Sequence, residues 1–252
     1  MRLLTLARDL RRRRARERQG LFVAEGVRTV EELLASPLRV RGLLTTSDLE
    51  DTERGRRLLE EAARRGVERL QVTEADFRSA AETESPQGVL AVGVAPAVTL
   101  SALRLPATAR VLVLDAVQDP GNVGTILRTA AALGVAATVA LPGTVDVWNA
   151  KVVRSAMGAL FRHPVIPSTT EQLAGWLAEQ AVPLWGADAR GEPLDGVEAP
   201  ARVAIAVGNE GAGLTPPVRA IAARLVSLPI ASEVESLNVA VATGILLYVL
   251  RT

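Results

Sequence analysis

One arginine, Arg128, stands among small residues in the stretch "DPGNVGTILRTAAALG" (119–134). At 100° per residue the apolar side chains of Val123 and Ile126 share one face of a helix, and Arg128 lies on another beside Gly124. Small neighbours would let another group approach the guanidinium closely. The same pattern fits a solvated arginine on a helix surface. Taken by itself, the stretch leaves both interpretations open.

A second stretch, "GNEGAGL" (208–214), follows an apolar strand and places glycines on both sides of Glu210. Gly208, Gly211 and Gly213 permit positive φ angles and close approach of the backbone to a ligand. The order G-x-x-G-x-G differs from the dinucleotide-binding fingerprint. A glycine-rich turn with a solvated Glu210 is the alternative.

The third stretch, "LPIASEVESLNVAVATGILLY" (228–248), runs from a strand end through a polar loop into a helix. Ser236 is a candidate N-cap for that helix, as Asn122 is for the first one. From Val239 onward the helix is apolar almost all round, which predicts burial within the domain or against a second subunit. The sequence thus suggests a dimer interface, with burial inside one subunit as the alternative.

Composition excludes several kinds of site in this chain of 252 residues. It has no cysteine, so disulfides and Cys-ligated zinc are excluded, and a single histidine argues against a His-based metal site. Its apolar runs are too short to cross a membrane. Charge interrupts the N-terminal apolar residues early, unlike a secretory signal, so we expect a cytosolic protein that binds no metal and no membrane.

Arginines are concentrated at the N-terminus, although the net charge of the chain is only +1. Such a cluster can contact the phosphates of a nucleic acid. A solvated or frayed helical end explains the charge equally well.

The elements that would position these stretches fall into two sets. Residues 1–97 alternate short strands and amphipathic helices, residues 98–109 lose periodicity and form a linker, and residues 110–252 contain continuous apolar strands alternating with helices. Such strands suit a parallel sheet covered on both faces, so we predict a doubly wound α/β domain after a small α/β domain. Ligands of parallel sheets bind outside the carboxyl ends of the strands, where all three stretches are expected.

Together, the three stretches resemble the SpoU family of RNA ribose 2′-O-methyltransferases, within the SPOUT superfamily. Their order and spacing fit that family from about Val111 to the end of the chain. "FVAEGVRTVEELL" and "SPQGVLAVGVAP" further resemble the N-terminal RNA-recognition domain of its ribosomal-RNA branch, which has an L30e-like fold.

The resemblance implies a trefoil knot in the C-terminal domain, S-adenosylmethionine (AdoMet) bound at that knot, and a homodimer formed through this domain. It assigns Asn122 and Arg128 to the first motif, Glu210 to the second, and Ser236 and Asn238 to the third as catalytic residues. The cofactor-binding residues that it implies are Gly208, Leu228, Ile230 and Leu237.

Methylation of a ribose 2′-hydroxyl, in 23S ribosomal RNA for this branch, is the activity implied. An arginine is a poor base because the pKa of a guanidinium lies far above neutral pH. We therefore expect Arg128 to bind the adjacent phosphate and stabilise the developing alkoxide, with proton removal by a neutral guanidine as the alternative. RNA affinity is expected from the N-terminal domain and from its arginines, Arg8, Arg11, Arg12, Arg13 and Arg18.

Three other functions compete with this interpretation. A transfer RNA could be the substrate, or the chain could be a non-catalytic RNA-binding protein on the same fold. A dinucleotide-dependent oxidoreductase is disfavoured because its fingerprint is absent.

Overall fold

The computed structural model describes residues 2–231, 233 and 236–251. The chain forms two compact units. The first contains the chain up to Ala97 together with Asp146–Arg162, and the second contains Val98–Val145 and the chain from His163 onward.

The strands, in chain order, are β1 (Leu21–Glu25), β2 (Val40–Thr45), β3 (Arg69–Gln71), β4 (Val89–Val94), β5 (Ala109–Leu114), β6 (Ala137–Ala140), β7 (Val165–Pro167), β8 (Leu184–Pro193), β9 (Arg202–Val207) and β10 (Arg224–Ser227). The α-helices are α1 (Leu3–Asp9), α2 (Arg13–Gln19), α3 (Val27–Leu34), α4 (Glu53–Arg64), α5 (Glu74–Ala80), α6 (Pro120–Ala132), α7 (Ala150–Ser155), α8 (Thr170–Gln180), α9 (Pro216–Ile221) and α10 (Val239–Val249).

The first unit is built on a four-stranded mixed sheet in the order β1-β4-β2-β3. Strand β4 pairs antiparallel with β1 and β2, whereas β2 and β3 are parallel. Helix α3 buries Val30, Leu33 and Leu34, as its amphipathic pattern predicts. The small α/β domain expected from the sequence is therefore present.

Segment Asp146–Arg162, which the sequence places in the second domain, belongs to the first unit. The ring of Phe22 on β1 stacks on Trp148 at 4.4 Å and on Phe161 at 5.7 Å between centroids. Aromatic rings bury large apolar areas, so these contacts stabilise the placement. The domain limits 1–97, 98–109 and 110–252 stay a prediction.

The second unit is built on a six-stranded sheet in the order β10-β8-β9-β5-β6-β7, and its strand pairs are all parallel. The central strand β5 is buried throughout, as expected for a sheet covered on both faces. The predicted doubly wound α/β architecture is confirmed. The trefoil knot stays a prediction, because strand order gives neighbours and not the threading of the chain.

Within the described part of the chain, no helix combines the length and apolar character that a membrane span requires.

Candidate active site

Helix α6 begins one turn earlier than the sequence suggested. Asp119, not Asn122, is its N-cap: the Asp119 carboxylate accepts a hydrogen bond from the Asn122 backbone N–H at 2.7 Å. Pro120 occupies the first helical position, where its missing N–H costs nothing. The prediction of Asn122 as the cap was wrong. Because Asp119 caps the helix, the Asn122 side chain is available to other partners.

The Asn122 side chain links the three sequence motifs. Its Nδ2 donates to Glu210 Oε1 at 2.8 Å, and its Oδ1 accepts from Asn238 Nδ2 at 3.0 Å. These partners lie 88 and 116 residues away along the chain. Three of the five predicted catalytic residues thus form one continuous hydrogen-bonded chain at the carboxyl edge of the sheet.

Asn238 also begins helix α10. Its Oδ1 accepts from the backbone N–H groups of Ala240 at 2.9 Å and Val241 at 3.3 Å, so Asn238 is the N-cap and the expectation for Ser236 was wrong. Acceptance at Oδ1 leaves the amide NH₂ for Asn122. One side chain therefore caps the helix and joins the polar chain.

The glycine-rich loop is shaped by Asn209, which the sequence analysis missed. Its Oδ1 accepts from the N–H groups of Gly211 and Ala212 at 3.0 Å, and its Nδ2 donates to the Ala116 carbonyl at 3.2 Å. An asparagine that hydrogen-bonds its own turn two residues on is a recognisable sequence signal. A Cβ on Gly208 would approach the Gly213 backbone to 2.3 Å, so only glycine fits there.

Asp115, at the end of β5, is a second missed residue. It is 2% exposed, and its carboxylate accepts from the Thr215 N–H at 2.6 Å and the Thr215 hydroxyl at 3.1 Å. Burial raises the pKa of this carboxyl above its usual value, although both hydrogen bonds oppose the shift. Asp115 holds the start of helix α9 against the central strand.

A pocket at this edge is lined by the predicted cofactor residues Gly208, Leu228, Ile230 and Leu237, together with Glu210 and Ser236. Ile230 and Leu237 remain 38% and 36% exposed, which is high for large apolar side chains. The structure brings all four predicted cofactor residues to one pocket. Their assignment to the cofactor stays a prediction.

Arg128 is exposed on α6, and Val123, Ile126 and Leu127 of the same helix are buried, as predicted. Arg128 is not among the residues lining the pocket. A neighbouring groove between α6 and α10 is lined by Asn122, Thr125, Thr129, Asn238, Ala240, Val241, Gly244, Ile245 and Tyr248. Asn122 and Asn238 therefore line the groove, and the hydrogen bond from Asn122 to Glu210 connects them to the pocket.

The N-terminal arginines are held mainly by neighbouring acidic side chains. Arg8 pairs with Asp76 at 2.7 Å, Arg13 with Glu17 at 2.7 Å, and Asp9 pairs with Arg12 and with Arg18. The hydrogen bond that Arg13 donates to Glu17 raises the pKa of the Arg13 guanidinium.

Two further arginines of this cluster bind backbone carbonyls. Arg11 donates to the Ser79 carbonyl at 3.2 Å. Arg16, which is 6% exposed, donates to the carbonyls of Leu10 and Arg11 and pairs with Asp146 at 2.7 Å. Arg16 is therefore a structural residue of the first unit.

The described residues contain no group of three or more His, Cys, Asp or Glu side chains arranged to hold a metal ion.

Two family models match the chain. Residues 109–248 match the SpoU rRNA Methylase family, and residues 5–91 match the MRM3-like substrate binding domain. The chain is 36% identical to 23S rRNA (guanosine(2553)-2′-O)-methyltransferase RlmP of Bacillus subtilis (strain 168), covering 97% of this chain and 94% of the relative. It is 31% identical to 23S rRNA (uridine(2479)-2′-O)-methyltransferase of Streptomyces viridochromogenes, covering 94% of this chain and 84% of the relative.

Among solved structures, the SpoU methyltransferase AviRb from Streptomyces viridochromogenes, in complex with the cofactor AdoMet, superimposes with a TM-score of 0.88 at 28% identity. The alignment covers 99% of this chain and 96% of that one. The three sequence motifs, the parallel sheet and the family match over more than half of the chain agree: this protein belongs to the SpoU rRNA Methylase family.

Proposed function

We propose that this protein transfers a methyl group from AdoMet to a ribose 2′-hydroxyl of 23S ribosomal RNA. The observation that carries the proposal is the hydrogen-bonded chain Asn238–Asn122–Glu210 at the edge of the pocket, which joins all three family motifs. Two relatives that align over most of the chain are named as 23S rRNA 2′-O-methyltransferases, on guanosine in one case and on uridine in the other.

The residues that line the pocket have the chemistry that AdoMet requires. Gly208 brings backbone close to the pocket where any Cβ would clash with the chain, and Leu228, Ile230 and Leu237 supply apolar walls for a nucleoside. When bound, the cofactor supplies an electrophilic methyl group on a sulfonium, so no metal is required. We propose that these four residues hold it.

The nucleophile is a weak hydroxyl whose proton passes to solvent water as the methyl group is transferred, so the residues must stabilise the negative charge that develops on its oxygen. We propose that Arg128 binds the adjacent phosphate and stabilises the developing alkoxide, since the forked N–H donors of a guanidinium match phosphate and alkoxide oxygens. Ser236 and Asn238 orient the guanidinium and the ribose. Asn122 and Glu210 hold the loops that carry these groups, through the hydrogen bonds described above.

We propose that RNA affinity comes from the first unit, which matches a substrate binding domain. Arg8, Arg11, Arg12, Arg13 and Arg18 would contact phosphates, although the carboxylates that pair with four of them reduce the net charge available. Phosphate contact predicts binding that weakens with salt. Because its substrate is ribosomal RNA, the protein is expected to act in the cytoplasm.

We propose a homodimer formed through α10. Val241, Ile245, Tyr248 and Val249 lie on one face of this helix and are 52%, 41%, 56% and 52% exposed. A contiguous exposed apolar face of this kind marks an interaction surface. We propose that a second copy of this chain covers the face. The face continues into the groove that contains Asn122 and Asn238, where a partner would complete the site.

The test is methyl transfer from labelled AdoMet to separated 23S ribosomal and transfer RNAs, followed by mapping of the 2′-O-methylated nucleotide. Incorporation into 23S RNA alone supports the proposal. Incorporation into transfer RNA alone would overturn the proposal and identify transfer RNA as the substrate. AdoMet binding without transfer to either RNA makes a non-catalytic RNA-binding protein the better description.

A further inference from the structure

Strand β8 leaves its neighbour β10 at the pocket. Gly186 pairs with Leu225, but the next residue of β10, Val226, pairs with Glu192. Residues 187–191 therefore bulge out of the sheet between two regular pairs. Bulges of this kind redirect side chains and often lie beside functional sites.

The bulge forms one wall of the pocket. Ala187, Asp188 and Ala189 line it, facing residues that include Gly208 and Leu228. The position of this wall sets the width of the pocket, so contacts that fix the bulge control how well a ligand fits.

Asp188 and Arg219 are the charged pair that fixes the bulge. The Asp188 side chain is 9% exposed; one oxygen accepts the Arg190 N–H at 2.9 Å, and the other accepts from the guanidinium of Arg219 on α9. Burial acts to raise the pKa of the Asp188 carboxyl, but these hydrogen bonds and the arginine charges lower it overall. The carboxylate is thus held ionised beside the pocket.

The Gly191 end of the bulge is held by a hydrogen bond and by close packing against β10. The Ser227 hydroxyl donates to the Gly191 carbonyl at 2.9 Å, and a Cβ on Gly191 would meet the backbone of Leu225 and Val226 at 2.7 Å. Because these contacts hold the Gly191 end of the bulge against β10, the position of the Asp188 end depends on the Asp188–Arg219 pair.

We infer that Asp188 and Arg219 form a positioning pair that holds the 187–191 bulge as a wall of the AdoMet pocket and thereby sets affinity for the cofactor. The inference rests on the proposed function, because it takes AdoMet as the occupant. Neither residue is required for the chemical step, so the pair acts on binding of AdoMet more than on turnover.

The test compares Asp188→Asn and Arg219→Met with a matched control, Glu192→Gln. Glu192 pairs with Arg224 at 3.6 Å across the same two strands, outside the pocket lining, and is 56% exposed. We expect the two pocket variants to raise the Kd and KM for AdoMet about tenfold or more, with kcat at saturating AdoMet within about threefold of wild type. The control should match wild type in all three quantities.

Two further variants separate positioning from general destabilisation. The double variant Asp188→Asn/Arg219→Met should lose no more affinity than either single one, because both remove the same contact. Arg219→Lys keeps a positive charge and should recover part of the affinity. AdoMet Kd values within twofold of wild type, or additive losses in the double variant, would overturn the inference.

The outcomes also separate this inference from the proposed function. A wild-type protein that binds no AdoMet overturns both. A wild-type protein that binds AdoMet, with variants that bind equally well, overturns the positioning pair alone. Weakened AdoMet binding in the pocket variants, in a protein that methylates no RNA, supports the pair and overturns the proposed activity.

Discussion

The side-chain amide of Asn122 is both a hydrogen-bond donor, to Glu210, and an acceptor, from Asn238. An amide can do so because its two ends differ in hydrogen-bonding character, which neither a carboxylate nor an ammonium offers. At the scale of single residues, the site is therefore specified by chemical type and not by charge alone.

Arg128→Ala should lower kcat by about 10²- to 10³-fold, the usual cost of removing a group that stabilises developing negative charge. AdoMet affinity and the free energy of unfolding should stay near wild type, because the side chain is exposed and lies outside the pocket lining. Single-turnover kinetics and AdoMet titration measure the two effects. Arg128→Lys keeps the positive charge but loses the forked N–H geometry of the guanidinium, and it should retain part of the rate.

Arg104→Ala, at another exposed arginine of the second unit, is the control for that experiment. Turnover near wild type in Arg128→Ala would remove the guanidinium from the mechanism.

His163 should make stability depend on pH. It is 7% exposed, lies 2.7 Å from the Thr138 hydroxyl, and burial lowers its pKa to about 4. Between that value and about 6.5 the unfolded chain takes up a proton that the folded protein does not, so stability falls as pH falls. The expected loss is about 2 kcal/mol between pH 7.5 and pH 5.

Urea unfolding at several pH values measures this loss. His163 is the only histidine in the chain, so His163→Gln removes this contribution completely. The same pH dependence in His163→Gln and in wild type would contradict the assignment.

At the scale of elements, helix ends connect the fold to the site. Helix α10 begins at Asn238, whose Oδ1 caps two backbone N–H groups while its Nδ2 reaches Asn122. A substitution can remove the hydrogen bond to Asn122 and keep the helix cap, because the two interactions use different atoms of the Asn238 side chain.

Asn238→Asp should keep the cap, and hence stability, but lose activity, because a carboxylate has no N–H for Asn122. Asn238→Ala should lose activity and also about 1 kcal/mol of stability. Thermal or urea unfolding and methyl transfer measure the two quantities. Wild-type activity in Asn238→Asp would show that the donated hydrogen bond is dispensable.

The end of α8 offers an element-scale test that is independent of function. Ala181, just after the helix, has φ 50° and ψ 44°, a left-handed conformation that suits glycine. Ala181→Gly should stabilise the protein by about 0.5–1 kcal/mol, whereas Ala178→Gly inside the same helix should destabilise it by about 1 kcal/mol. Equal effects at both positions would contradict the role of backbone conformation.

At the scale of the whole molecule, the exposed face of α10 determines the expected assembly. Ile245→Glu places a charge within that face and should convert a dimer to a monomer, as measured by sedimentation. Methyl transfer should fall with it if the partner completes the site. Ala178→Glu on the exposed side of α8 is the control, and a wild-type monomer at micromolar concentration would contradict the dimer.

Local chemistry made much of the fold predictable. Each of the six strands of the parallel sheet overlaps an apolar run of the sequence, because strands buried on both faces have few polar residues, although β8 continues beyond its run to Pro193. The motif and cofactor residues were assigned through the resemblance to the SpoU family, and the pocket brings Gly208, Glu210, Leu228, Ile230, Ser236 and Leu237 together. Helix caps were harder to predict, since Asp119 and Asn122 have similar capping tendencies and lie three residues apart.

The sequence by itself determined the parallel sheet, through apolar patterns over a few neighbouring positions, and its resemblance to the SpoU family supplied the motif residues. Only the tertiary structure decided that Asn122 joins Glu210 and Asn238, that Asp188 meets Arg219, and that segment Asp146–Arg162 packs with the first unit. The physical reason is that these contacts join residues distant in the chain. Their energies depend on how the sheet brings strand ends together, which no local pattern encodes.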